Sequence, residues 1–307
     1  MRPETAVQIA LLLIFPPLLL GVIARTKAWF AGRRGPPLLQ PYHDLIKLLG
    51  KGAVYSRTTT WVFRAGPTVA LASLFLAGLL VPMVGPRAPL GFVGDVVLFV
   101  YLLALGRFFT LAAALDTGSS FEGMGASRDA AFSALAEPTL FLVLAIACLP
   151  GGSPSFERAW SLLPHASQGL GRGPFIAATA ALFAVYLAEN FRIPVDDPNT
   201  HLELTMIHEV MVLDHGGPDL AFILYGGALK LFILGAILVH VALPFPAGGA
   251  WPGVAWLIGG ELALAVLVGG VESVMARLRL AQVPQFLIGA FAIAAVSLAA
   301  ITFRVGR

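Results

Sequence analysis

Cysteine is all but missing from this chain, which holds one, Cys148, inside the apolar run FLVLAIACLP. One thiol makes no intrachain disulfide, and it cannot hold an iron–sulfur cluster or a cysteine-rich zinc site. There is no glycine-rich phosphate loop and no dinucleotide fingerprint. Charge is scarce as well: 12% of residues are charged, where soluble domains carry about a quarter. What charge there is does not suit nucleic acid, because the basic residues gather in loops beside apolar runs and the net charge is only +3.

What is abundant is apolar length. Hydrophobic residues make up 58% of the chain and the mean hydropathy is +0.84, so membrane spanning is the first expectation. A span needs about 20 apolar residues. On that measure spans are expected near 6–24, 67–84, 92–115, 130–149, 174–190, 220–244, 252–274 and 285–303. The first of them ends in ARTK and is followed by seven more, so it reads as a span and not as a cleaved signal. No internal repeat and no low-complexity segment interrupts the series. The expected fold class is all-α: one polytopic integral membrane domain over residues 1–307, with about eight transmembrane helices.

The loops give a sidedness. Twelve Lys and Arg residues fall in loops one, three, five and seven, and six fall on the other side, which places the odd loops in the cytoplasm and both termini outside. Loop one also contains PYHDLIKLLGK. Tyr42, Leu45, Ile46 and Leu49 share one face and Asp44, Lys47 and Lys51 the other, the pattern of a short amphipathic surface helix. Such a helix anchors to the lipid surface or docks a partner, and the pattern serves both.

Loop five concentrates the titratable chemistry in LAENFRIPVDDPNTHLELTMIHEVMVLDHGG. Asp197 and Pro198 read as a helix start. His201, Thr205 and His208 would then share a face, with Glu209 beside it. Histidine titrates near neutrality, so this stripe is expected to hold or pass protons at cytoplasmic pH. His201 and His208 lie about two turns apart, roughly 10 Å by helix rise, too far to hold one metal ion unless their side chains reach inward. A solvated loop that merely keeps its backbone wet is the bland alternative.

Charge also continues into the spans, at Asp95, Arg107, Glu137, Glu189, Lys230, Glu261 and Glu272. Each ionised group at a bilayer centre costs at least about 2.5–3.5 kcal/mol, so function is the default explanation. Glu189 could simply pair with Arg192 three residues on, and Glu272 with a neighbouring helix. Glu137 is followed by Pro138, which removes a backbone donor and opens room beside the carboxylate. Lys230 is its expected charge partner if the two helices meet.

Four segments form an ordered set: RRGPPLLQPYHDLIKLLGK after the first span, ALDTGSSFEGMGASRDA after the third, AENFRIPVDDPNTHLELTMIHE after the fifth and ESVMARLRLAQVP after the seventh. Together they resemble the complex I subunit 1 family, the eight-helix heel proteins of respiratory complex I. THLELTMIHE pulls the resemblance toward the membrane subunits of formate hydrogenlyase and other group 4 energy-converting NiFe hydrogenases. Glu189, Arg192, Asp196 and Glu203 match the family's acidic loop. Asn199 and His201 stand where quinone-reactive relatives tend to carry carboxylates, and LDHGG replaces a Glu-Tyr-Ser-Gly run, departures that argue against a quinone site. Glu122 stands where those hydrogenase relatives carry a small residue, and Gly123 and Gly125 beside it allow close backbone approach.

The resemblance implies a non-catalytic subunit of an oxidoreductase complex in a bacterial or archaeal cytoplasmic membrane. It implies that the chain holds no cofactor, with iron–sulfur clusters and a NiFe centre in partner chains. A hydrogenase-like large subunit and an iron–sulfur subunit would dock on the cytoplasmic loops, through Tyr42, Asp44, Lys47, Lys51, Arg128, Arg277 and Arg279. Glu137, Glu189, Arg192, Asp196, Glu203, His208, Glu209, Lys230 and Glu272 would relay charge or protons toward antiporter-like membrane subunits. Two rivals remain, the quinone-binding heel of an NADH:quinone oxidoreductase and a free-standing proton or cation transporter. The lack of an inverted repeat stands against the second.

Overall fold

The structure, a computed structural model, describes residues 3–169, 171–197, 205–243 and 250–305. Within these the chain is helical with no strand. The helices are α1 (Pro3–Ile14), α2 (Pro16–Phe30), α3 (Gln40–Leu49), α4 (Trp61–Leu80), α5 (Asp95–Asp116) and α6 (Ser120–Cys148). They are followed by α7 (Phe156–Gly169), α8 (Arg172–Glu189), α9 (His208–Met211), α10 (Gly217–Ala242), α11 (Ala250–Val274) and α12 (Val283–Val305).

Six of them, α4, α5, α6, α10, α11 and α12, are long and apolar enough to cross a membrane, and the bent pair α1–α2 passes the same test when taken as one broken span. The count of eight is therefore not confirmed. The helix expected as span five, α8, is 18 residues long and carries Arg172 and Glu189 at its two ends, which lowers its apolar character. The segment FEGMG, expected in a loop, belongs instead to the first turns of α6, a helix of 29 residues. The short helix α7 has no counterpart in the hydropathy reading, because Glu157, Arg158 and His165 break its apolar runs.

The bend between α1 and α2 is 49° and follows from Pro16 and Pro17. Neither proline has an N–H, so the carbonyls four residues earlier, Leu12 and Leu13, lose their helical donors. The Tyr225 hydroxyl of α10 lies 2.7 Å from the Leu12 carbonyl oxygen and 3.1 Å from that of Leu13. The Leu18 N–H has turned to Phe15, which frees the Ile14 carbonyl, and the Tyr42 hydroxyl of α3 donates to it. Donors from two other helices thus satisfy the break, as a membrane-buried kink requires.

α10 is the most enclosed of the spanning helices and packs against α2, α4, α8 and α11. α4 and α5 form a hairpin on one flank, α12 covers α6 and α8, and α11 lies along α2. The connecting segments sort to two ends. At one end the first connection meets the third, where the Asp116 carboxylate accepts from the Thr60 N–H at 2.6 Å. The third meets the fifth through the Arg128 guanidinium on the Met206 carbonyl at 2.9 Å, and the seventh meets the fifth through the Leu278 N–H on Pro194 at 2.9 Å. At the opposite end Arg87 pairs with Glu157 at 3.3 Å, and the Asp95 carboxylate accepts the Phe156 N–H at 2.9 Å. Asp95 thus anchors the start of α7.

Candidate functional site

Arg107, on α5, points into the bundle and is held by three carboxylates. Its Nη1 donates to Glu137 of α6 and its Nη2 to Glu189 at the end of α8, while its Nε lies 3.7 Å from Asp129, two turns before Glu137 on α6. The Lys230 ammonium of α10 reaches the same Glu189 oxygen at 2.6 Å. Two cations and three carboxylates from four helices therefore share one site. The Glu189 side chain is 2% exposed and that of Glu137 34%, so the network runs from the enclosed interior to the flank of the bundle. An isolated ion in such a place would be costly; pairing removes most of that cost, and breaking one pair leaves a bare charge behind.

The space at this network, lined by Arg107, Asp129, Phe132, Ser133, Ala136 and Glu189 among others, holds only about 10 Å³. That is about the volume of a single water probe. Protons can be exchanged there between side chains that touch, and no organic ligand fits. A larger cavity of about 800 Å³ lies apart from it, between α2 and α11, with Arg25, Arg33 and Arg34 among its lining residues.

A second group forms where Glu272 of α11 meets the Lys27 ammonium at 2.8 Å and the Arg192 guanidinium at 3.3 Å. Arg192 follows Glu189 by three residues, so loop five links the two groups covalently. A third joins loops five and seven. The Asp196 carboxylate, 3% exposed, meets Arg277 at 2.9 Å and accepts the Ile207 N–H at 3.1 Å and the His208 N–H at 3.3 Å. Burial pushes its pKa up, and Arg277 and the amides work against that.

Several expectations change. Glu189 pairs with Arg107 and Lys230 and not with Arg192, which turns instead to Glu272. Glu137 pairs with Arg107 and not with Lys230. Arg107 is the hub of the site, and Asp129 belongs to it. Arg107 stands in the sequence as a charge among apolar neighbours and Asp129 as one of two adjacent charges in a polar stretch, and only the packing of α5 on α6 and α8 brings them together.

The helix expected from Asp197 begins, among the described residues, only at His208, since residues 205–207 are non-helical. Glu203, His201 and Asn199 lie outside the described residues. His208 stacks on Phe191 at 4.4 Å, and the Lys230 ammonium lies 5.7 Å from the Phe191 ring centroid. Burial, with Lys230 nearby, pushes the His208 imidazole down to about 4, so it stays neutral at cytoplasmic pH and does not titrate there as expected. Glu209 is half-buried.

The residues expected to dock partners divide. Lys47, Lys51 and Arg279 are exposed, as are Ile46 and Leu49 of the apolar face of α3. Tyr42, Arg128 and Arg277 are engaged inside the chain: Tyr42 at the kink, Arg128 on Met206, and Arg277 on Asp196 and the Thr205 carbonyl. Asp44 accepts from the Gln40 side chain at 2.8 Å. Glu122, to which no sequence pattern assigns a role, is buried at the start of α6 and accepts the Asp214 N–H at 3.1 Å. Gly125 has its reason as well: a Cβ there would stand 2.8 Å from the Ile207 carbonyl, whereas Gly123 faces open space. No group of three or more His, Cys, Asp or Glu among the described residues is placed to hold a metal ion.

Sequence comparison assigns this bundle to a family. The family model described as NADH dehydrogenase matches residues 4–303, and the chain belongs to that family, in its complex I subunit 1-like form. Among curated relatives, formate hydrogenlyase subunit 4 of Escherichia coli (strain K12) is 33% identical over 91% of this chain and 92% of its own. Hydrogenase-4 component C of the same organism is 32% identical over 78% and 74% of the two chains. An NADH-quinone oxidoreductase subunit of Bordetella avium (strain 197N) is 28% identical over 68% and 62%. The fold is shared with a chain of the membrane-bound sulfane sulfur reductase, an archaeal respiratory membrane complex, at a TM-score of 0.81 and 21% identity over 97% of this chain and 98% of that one.

Proposed function

We propose that this chain is the membrane subunit of a group 4 NiFe-hydrogenase or formate hydrogenlyase-type complex. In this role it anchors a peripheral redox module and couples that module's electron transfer to proton or cation movement. The observation that carries the reading is the Arg107–Glu137–Glu189–Lys230–Asp129 network, continuous with the loops at one end of the bundle. The extent of likeness to formate hydrogenlyase subunit 4 supports the choice of complex.

The coupling is electrostatic. A change of charge on a redox group docked over the knitted end acts first on Asp196–Arg277 and Glu272–Arg192–Lys27, which lie in or beside loops one, five and seven. Because Glu189 and Arg192 belong to one short turn, a shift at Arg192 reaches the Glu189 carboxylate shared by Arg107 and Lys230. Glu137, the network's most exposed member, is the outlet toward a neighbouring membrane subunit of antiporter type. The redox groups, iron–sulfur clusters and a NiFe centre, belong to partner chains and supply the electron transfer. This chain offers one cysteine, on α6. The loop-charge bias puts the knitted end in the cytoplasm.

A quinone chamber at the network is disfavoured by its 10 Å³ of space, far below the roughly 300 Å³ that small-molecule pockets start from. Purification in mild detergent tests the assignment. A NiFe large subunit and an iron–sulfur subunit should co-purify with this chain. A complex I peripheral arm, or no partner at all, would overturn it.

A further inference from the structure

Glu261 lies at the middle of α11, away from the network, and no part of the coupling route uses it. The residue is 1% exposed, and neither carboxylate oxygen has a hydrogen-bond partner among the described residues. α11 is brought against α10 by two glycines. A Cβ on Gly235 of α10 would stand 2.7 Å from Glu261 Oε2, and one on Gly260 would stand 2.6 Å from Val239. The carboxyl group therefore rests on bare backbone, in a place a larger residue would deny it.

The ionisable groups on the elements packed against it have other commitments. Lys27 on α2 pairs with Glu272, and Lys230 on α10 pairs with Glu189. His240 on α10 stacks on Trp160 and meets Trp256 edge-on. Tyr186 on α8, 2% exposed, is within electrostatic reach of Glu261. Because this chain alone already encloses Glu261, a cation from a partner subunit cannot reach it. A bare carboxylate in apolar surroundings costs far more than the fold can supply, and such a group neutralises itself instead. A metal cation would not do this, since hard cations take six or more oxygens and Glu261 supplies only two.

We propose that Glu261 is a proton-binding site in the membrane interior, holding one proton as a neutral carboxylic acid at rest. The bound proton does not depend on the coupling proposed above.

Infrared spectroscopy of the intact complex at neutral pH, with and without deuterium exchange, tests the site. The wild type should show a carboxylic-acid carbonyl band that Glu261→Gln removes completely. In Gly235→Ala, where the new Cβ presses on the carboxyl, the band should move in frequency with the complex still assembled. A band unchanged in both variants, or one that appears only when sodium is removed, overturns the proposal. If the wild-type complex itself moves no protons, the coupling reading fails, and the infrared band still decides for or against Glu261.

Discussion

Replacing Glu189 by Gln removes the one carboxylate that Arg107 and Lys230 share. Both cations contact the same oxygen, so they stand roughly 4–5 Å apart, and at an effective dielectric of about 20 they would repel by about 3–4 kcal/mol once it is gone. Breaking a buried pair costs about 3–5 kcal/mol by comparison with measured cases. Asp129 and Glu137 still hold Arg107, which favours the lower end, about 3 kcal/mol, or roughly a hundredfold in the folding equilibrium. Adding Lys230→Gln restores the wild-type net charge of the network, from two cations and three carboxylates to one and two. The double variant should regain about 1–3 kcal/mol of the loss. Thermal unfolding of the detergent-solubilised complex, run as a double-mutant cycle, measures this. A double variant no more stable than Glu189→Gln alone would show that the two residues are not coupled.

His208 is held at about 4 in the folded chain against an ordinary 6.5, so the unfolded chain binds the extra proton and acid disfavours the fold. Its contribution is present above pH 6.5 and is lost as pH falls toward about 4. His208→Phe keeps the stack on Phe191, and its unfolding temperature should fall less than the wild type's over that range. Gly125→Ala would drive a Cβ into the Ile207 carbonyl and the Val210 side chain, and should lower stability by about 1–3 kcal/mol by separating α9 from α6, with no such cost for Gly123→Ala. In a Cys148→Ala background, a cysteine at position 51 should label from the cytoplasmic face only and one at position 87 from the outer face only. The reverse pattern would invert the topology.

Apolar run length makes the bundle legible, because a span is recognisable wherever about 20 residues avoid charge. It fails at α7, whose apolar residues are interrupted by Glu157, Arg158, Ser161 and His165, and at the start of α6, where glycines and charges imitate a loop. Glu137 and Lys230 are legible as site residues, since each is an ion without an obvious reason to be in a span, whereas Glu189 has a local partner on offer in Arg192. Their partners are not. Pairing between α5, α6, α8 and α10 depends on which faces meet, and no local pattern in the sequence carries that information. For that reason the sequence does not mark Arg107 as a hub, and it suggests the wrong carboxylate for Lys230. The acidic loop misleads in another way. Its spacing suits a helix and its histidines suggest titration, but the burial of His208 against Phe191 removes its charge.

Proton translocation by the assembled complex in sealed vesicles, compared between wild type and Glu137→Gln, tests the coupling most directly. The substitution keeps side-chain size and a hydrogen-bond acceptor for Arg107 while removing a titratable group at the outlet of the network. Electron transfer to an artificial acceptor should be unchanged and proton uptake per electron should fall to the level seen with an uncoupler. Wild-type translocation in Glu137→Gln would contradict the account.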